Sequence, residues 1–354
     1  MKKLKTQKKV NKKGNNMSVK LLVLGVNGFI GSSMVEKILR DTDWEIYGMD
    51  LSDHKITEFL DHPRLHFVKD NVLENMAWVE EHIQKCDVIF PLVAVANPAL
   101  YVSDPLFVYK LDYESNVDIV KLCVKHKKHL IFPSTSEVYG MSKDIPFNEE
   151  TSALVTGPIN KPRWIYSCSK QLLDRVIHAY GMQEGLNYTL FRPFNWIGPK
   201  QDEIKSSKKG SARVLAQFVS NIIDGKDLQL VDGGTQRRCF TYIDDGIDAL
   251  IEIVKKRDNE AHRRIFNIGN PDNEYSIKEL AELTVDAMKR YPEYKARAEN
   301  TKIIATTAGD YYGEGYQDVD RRVPSIENAK THLNWTPKVS MQDALRKTFD
   351  YHLL

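Results

Sequence analysis

A doubly wound α/β fold, with a mostly parallel sheet and a smaller C-terminal lobe, is predicted by three observations. A buried-strand pattern runs into a glycine turn near the start of the chain, strand and helix patterns alternate to about residue 194, and a looser, loop-rich remainder follows. The first strand, 19–24, is apolar at almost every position, as expected of a strand covered on both faces. It passes into Gly25-Val-Asn-Gly28-Phe-Ile-Gly31, and residues 32–40 carry Met34, Val35, Ile38 and Leu39 at helical spacing. A glycine turn opening a helix lets backbone N–H groups approach a pyrophosphate, which then sits on the positive end of the helix. The next strand, 44–49, ends on Asp50, where a carboxylate binds an adenosine ribose and repels a 2′-phosphate. No arginine follows in 51–55, so the cofactor predicted is NAD rather than NADP.

Strands at 65–68, 87–93, 129–132 and 188–192 alternate with helices at 77–85, 106–126 and 166 to about 184. This rhythm defines a Rossmann-type nucleotide-binding domain over 17–194, its parallel strands joined by right-handed crossovers. Past Pro193 come a polar stretch (201–210), a helix (212–224) and the loop 231–238, which mark 195–354 as mainly a substrate-binding lobe. A helix at 245–255 and a strand at 264–268 bring the chain back to the sheet around 239–268.

The 354 residues are 42% hydrophobic and 28% charged, ordinary for an enzyme with a sizeable core. The formal charge of +2 conceals an asymmetry, because residues 1–16 hold seven lysines and no acid, leaving the rest at −5. That stretch has no apolar run, so it reads as a disordered basic tail and not as a secretory signal; neither a nucleic-acid nor a membrane partner is expected. Cys86, Cys123, Cys168 and Cys239 are scattered without metal-ligand spacing, which predicts no metal site and reduced thiols in a cytoplasmic enzyme. No segment approaches the roughly 20 apolar residues of a membrane span.

The chemistry concentrates in Pro133-Ser-Thr-Ser-Glu-Val-Tyr-Gly140 and Tyr166-Ser-Cys-Ser-Lys170. Together they supply the hydroxyls of Thr135 and Ser136, the Glu137 carboxylate, a phenol and an ammonium, the groups that oxidation of a sugar carbon by a nicotinamide requires. Tyr166 and Lys170 are one helical turn apart on one face, and a neighbouring ammonium lowers the cost of a phenolate.

With Gly25, Gly28 and Gly31, the Tyr166/Lys170 pair, Arg192-Pro-Phe-Asn195, Gly198-Pro199 and the run 238–245, the chain resembles the extended short-chain dehydrogenase/reductases that act on nucleotide sugars. Segments 91–98, 160–166 and 313–318 resemble the ArnA-type UDP-glucuronic acid decarboxylase domains more closely, and the likeness runs from about residue 20 to the C-terminus. Related 4,6-dehydratases carry Asp where this chain has Ser136, and 4-epimerases usually have neither acid. The resemblance therefore implies NAD-dependent oxidative decarboxylation of UDP-glucuronate to UDP-4-ketopentose, CO2 and NADH. The alternatives are a UDP-xylose synthase that retains its NADH, or a UDP-sugar 4-epimerase or dehydratase.

It further implies catalytic roles for Thr135, Ser136, Glu137 as proton acceptor, Tyr166, Lys170, and Arg322 as proton donor, with Arg321 leaving open which arginine reaches the sugar. Gly25, Asn27, Gly28, Phe29, Ile30, Gly31, Asp50, Asp70, Asn71, Leu92, Tyr166 and Lys170 would hold the cofactor. Ala96, Tyr101, Thr135, Ser136, Arg163, Asn195, Gln229, Asp232, Arg237, Arg238 and Tyr316 would hold the UDP-sugar, the adjacent arginines suiting a diphosphate. A homodimer is expected. The short stretch before the first strand leaves no room for the formyltransferase domain of bifunctional relatives, so formyl transfer is not expected.

Overall fold

A computed structural model describes residues 18–202, 204, 213–312 and 317–354. The basic tail, most of the polar stretch 201–210 and Tyr316 lie outside the described residues.

The first half delivers β1 (Lys20–Leu24), α1 (Phe29–Asp41), β2 (Glu45–Asp50), β3 (Leu65–Lys69), α2 (Met76–Lys85) and β4 (Val88–Pro91), followed by α3 (Pro98–Ser103), α4 (Pro105–Tyr109), α5 (Ser115–Lys125), β5 (His129–Pro133), α6 (Trp164–Gln183) and β6 (Asn187–Pro193). The second half adds β7 (Trp196–Ile197), α7 (Val214–Ile223), β8 (Leu228–Val231), β9 (Arg237–Cys239), β10 (Thr241–Tyr242), α8 (Ile243–Lys256) and β11 (Ile265–Ile268), then β12 (Glu274–Ser276), α9 (Ile277–Met288), α10 (Pro292–Asn300), β13 (Ile303–Thr306), α11 (Ala308–Tyr312), β14 (Arg321–Arg322) and α12 (Met341–Leu353).

Seven strands form one sheet in the order β11-β6-β5-β4-β1-β2-β3, every neighbouring pair parallel. Alternate residues of β1 explain why it is apolar throughout: Leu21 and Val23 join the core on one face, Leu22 and Leu24 that on the other. The first of these cores also takes Phe218 of α7, Ile247 and Leu250 of α8, and Leu280 of α9, so the C-terminal lobe packs continuously onto one side of the sheet. As expected, α8 and β11 return the chain to the sheet, α8 against α1 and β11 as the edge strand beside β6.

One element departs from the periodicity. The single helix expected over 106–126 is divided into α4 and α5 by a π-helical turn at Lys110–Glu114. The widened turn frees two carbonyl oxygens, and local side chains occupy them: the Ser115 hydroxyl donates to Leu111 O at 2.6 Å, and Asn116 Nδ2 donates to Leu111 O and Asp112 O at 3.1 and 3.3 Å. Hydrophobic spacing has no means of registering one extra residue in a turn.

The strand order reverses between β1 and β4, so a crevice opens beyond their C-terminal ends. The ends of β5 and β6 border the same opening, which places the segments after β1, β4, β5 and β6 around one cleft.

Candidate active site

The cleft encloses about 730 Å³. Gly25, Gly28, Phe29, Ile30, Gly31 and Leu92 line its deep end. Gly25 adopts φ +85° to turn out of β1, and a Cβ at Gly31 would collide with the Gly25 and Val26 carbonyl oxygens, so both glycines are required by the turn. Gly28 caps α1 without a side-chain hydrogen bond, which leaves the first amides of that 13-residue helix available to an anionic ligand.

Asn27 and Asp50 act just outside the lining. Asn27 ties the turn to the loop after β2, its Oδ1 accepting from Lys55 N at 2.7 Å and its Nδ2 donating to Ser52 Oγ at 2.8 Å. Asp50 accepts from the Asn27 and Ser52 amides at 2.9 and 3.3 Å, and its carbonyl accepts from Asp70 N at 3.0 Å. Asp70 in turn binds Asn71 N and Asn75 Nδ2, both at 2.7 Å, and Asn71 reaches Glu74. These carboxylates sit at neighbouring strand ends, flanking the glycine turn.

Midway along the cleft, Thr135 caps a 3-10 turn (Ser136–Tyr139) after β5, accepting the Glu137 amide on its hydroxyl at 3.2 Å. Tyr166, in the first turn of α6, is hydrogen-bonded to Thr135 and stacked on Tyr101, with ring centroids 4.7 Å apart and planes at 6°. Lys170, one turn later and buried, donates to Pro133 O at 3.2 Å and lies 3.6 Å from the Asp112 carboxylate. Here the structure corrects the sequence reading. Burial drives the Tyr166 phenol well up, Asp112 and Glu137 add to that, and the Thr135 hydrogen bond and Arg213 oppose it. The Lys170 ammonium lies against the Asp112 carboxylate, and the upward shift favours the protonated phenol.

Glu137 is clamped by two guanidiniums, each at 2.7 Å: Arg163 on one oxygen and Arg322 on the other. Burial alone would raise this carboxyl, but Arg163, Arg322 and Arg238 outweigh it and hold it at about 2. A carboxyl that acidic is an anionic anchor and a weak proton acceptor, which qualifies the role the sequence suggested. Arg163 is fully buried behind Glu137 and does not line the cleft.

Which of the paired arginines face inward is settled by strand register. Strands β9 and β14 run parallel, with Arg237 opposite Arg321 and Arg238 opposite Arg322. Arg238 and Arg322 point into the cleft, where Asp318 takes Arg238 at 2.7 Å and lies 3.8 Å from Arg322. Arg237 and Arg321 turn the other way onto Glu274, at 3.0 and 2.6 Å, with Arg237 also reaching Glu279. Arg237 is therefore removed from the expected diphosphate clamp, because side chains alternate along a strand. Asp232 is likewise exposed, in a turn with φ +49°, and outside the lining. Ala96, Tyr101, Ser136, Asn195 and Gln229 do line the cleft, Asn195 in a left-handed conformation (φ +39°) that asparagine tolerates. Asp112, Asp318 and Arg213 were missed. Of these, Asp318 alone lay in a segment, 313–318, that carried the resemblance.

Beneath Thr135 runs a buried polar chain. Ser134 donates to Asp174 at 2.7 Å, Arg192 bridges Asp174 and Tyr139, Tyr139 donates to Asn267 at 2.8 Å, and Asn267 N donates to Glu149 at 2.8 Å. Burial pushes Glu149 up from 4.5 to about 7. The unfolded chain ionises this group near 4.5 while the fold holds it neutral to about 7, so its cost to stability grows over that range and is constant above it. Glu149→Gln should stabilise the protein at pH 8, by on the order of 3 kcal/mol, and change nothing near pH 4.5; urea unfolding at both values checks this.

The chain matches the NAD dependent epimerase/dehydratase family model over residues 21–269. It belongs to that family. A solved structure of the PbgP3 protein from Burkholderia pseudomallei is 50% identical, covers 95% of this chain and 97% of its own, and superposes with a TM-score of 0.87. The UDP-glucuronic acid 4-epimerase from Bacillus cereus, solved with UDP-glucuronic acid and NAD, shares the fold at 22% identity and TM-score 0.78, covering 94% of this chain and 98% of its own. The dTDP-glucose 4,6-dehydratase from Bacillus anthracis does so at 24% and 0.76, covering 94% and 96%. The cofactor of this NAD-dependent family member is NAD, and the residues fit it: an uncapped helix start behind a glycine turn, and Asp50 at the end of β2. Among the described residues no group of side chains could hold a metal ion, and no helix is long and apolar enough to cross a membrane.

Proposed function

We propose that this enzyme oxidatively decarboxylates UDP-glucuronate, releasing UDP-4-ketopentose, CO2 and NADH. The observation that carries this reading is the meeting of Arg322 and Glu137 with Thr135, Tyr166 and Lys170, from segments far apart in the chain. UDP-glucuronate bears a diphosphate and a carboxylate, and the cleft wall offers Arg213, Arg238, Arg322 and Lys170 to such a polyanion. Bound NAD supplies the hydride acceptor for C4.

Tyr166, as its phenolate, accepts the C4 hydroxyl proton, with Thr135 orienting the oxygen and Lys170 compensating its charge. The resulting 4-ketone lies β to the C6 carboxylate, so the C5–C6 electron pair flows into the carbonyl as CO2 departs. The enolate oxygen meets the Thr135 and Tyr166 hydroxyls, and C5 takes up one proton in place of the departed carboxyl, balancing the proton removed from the C4 hydroxyl. Arg322 holds the departing carboxylate or steers the proton to C5. Ser136, uncharged where a dehydratase would need an acid, leaves the C6 position without a proton donor for loss of water.

A UDP-glucuronate 4-epimerase is the second reading, favoured by the like-folded Bacillus cereus enzyme solved with that sugar nucleotide. Purified protein with UDP-glucuronate and NAD+, followed at 340 nm and by NMR, separates the outcomes. NADH formed in step with a ketopentose supports the proposal; UDP-xylose without NADH indicates retained cofactor; UDP-galacturonate without CO2 rejects decarboxylation.

We also read exposed Leu106 and Phe107 of α4 and exposed Leu172 of α6, two helices in contact with each other, as the face that joins a second copy in a homodimer. Sedimentation as a single-chain species at micromolar concentration would reject that reading.

A further inference from the structure

The π-helical turn has a single buried acid, Asp112, and it points at the catalytic lysine. Its Oδ2 accepts the amide of Val95, in the cleft-lining segment after β4, at 3.2 Å. Its Oδ1 faces Lys170 Nζ at 3.6 Å and accepts no hydrogen bond among the described residues. Both side chains are fully buried. A carboxylate in such a place costs several kcal/mol in desolvation unless a cation answers it. Asp112 sits within the widened turn, which Ser115 and Asn116 brace by hydrogen bonds to Leu111 O and Asp112 O.

We propose that Asp112 is a positioning residue that governs the protonation of the Tyr166–Lys170 pair, holding the ammonium on itself so that the phenol keeps its proton until further positive charge enters the cleft. Asp112, Lys170 and a neutral Tyr166 sum to zero charge in a dry site, and losing the phenolic proton leaves it at −1. With a neutral residue at 112 the balance inverts, because phenolate and ammonium then sum to zero.

Other charged or titratable groups face the pair. Glu137, from the turn after β5, opposes Tyr166 ionisation and Arg213, before α7, favours it, while Tyr101 of α3 stacks on the ring. On the lysine side the other carboxylate is Asp174, already engaged by Ser134 and Arg192. Asp112 is the carboxylate near Lys170 that no arginine neutralises.

The inference rests on Tyr166 being the base and not on which sugar is processed, so its test needs no turnover. Tyrosinate absorbance at 295 nm is titrated from pH 6 to 11 with NAD+ bound, for the parent protein, Asp112→Asn and Asp112→Ser, each with and without Tyr166→Phe. The step that Tyr166→Phe abolishes should lie at least about one pH unit lower in both Asp112 variants, the scale expected of a charge within a few ångströms. The serine variant serves if the asparagine one fails to fold. A step at the same pH in parent and variants overturns the proposal while leaving Tyr166 as the base. A step that survives Tyr166→Phe overturns both.

Discussion

Tyr166→Phe should lower the rate of NADH formation from UDP-glucuronate by about 10²- to 10⁴-fold, the usual worth of a positioned general base, while NAD binding is nearly unchanged. The ring is stacked on Tyr101 and buried, so phenylalanine keeps the packing and removes only the oxygen that meets Thr135. Steady-state absorbance at 340 nm reports the first quantity and quenching of intrinsic fluorescence by NAD+ the second. If cofactor affinity fell in parallel with rate, the tyrosine would be a structural support and the base would have to be sought elsewhere.

Arg322→Met should remove most CO2 release, about 10²- to 10³-fold, and destabilise the protein by about 3 kcal/mol, because it leaves the half-buried Glu137 with one guanidinium in place of two. Glu137→Gln should cost at least as much, since both arginines lose their counter-charge. The double variant should fall short of the sum of the singles by 1 kcal/mol or more, as coupled neighbours do. Urea unfolding at pH 7 gives these differences, and their pH dependence gives a second check. Glu137 is held at about 2 in the fold against 4.5 otherwise, so its contribution is fully present above pH 4.5 and lost as pH falls toward 2. With Arg322 gone the carboxyl rises, and stability should decline less steeply below pH 4.5.

What was legible in the sequence was whatever rests on local pattern. Strand β1, the glycine turn and α1 follow from apolar runs and glycine spacing alone, and Tyr166 with Lys170 follow from helical periodicity. Residues whose meaning depends on a partner far along the chain were not legible as roles. Glu137 acquires its low affinity for protons from Arg163 and Arg322, 26 and 185 positions away. Arg237 and Arg238 look equivalent until β9 forms and alternation separates them. Asp112 is one acid of three in the helical stretch 106–126, and the π-helical turn distinguishes its surroundings.

The small ladder β12-β9-β14 gives the cleft a parity. Arg238 and Arg322 enter it on even positions, while their odd-numbered neighbours Arg237 and Arg321 share Glu274 outside. A slip of β14 by one residue would withdraw Arg322 from Glu137 and offer Arg321 in its place, whereas a slip by two would return a side chain to the same face. Length changes within these short strands are thus filtered by whether they are odd or even. The chemistry of the site is guarded by backbone pairing that no substrate touches.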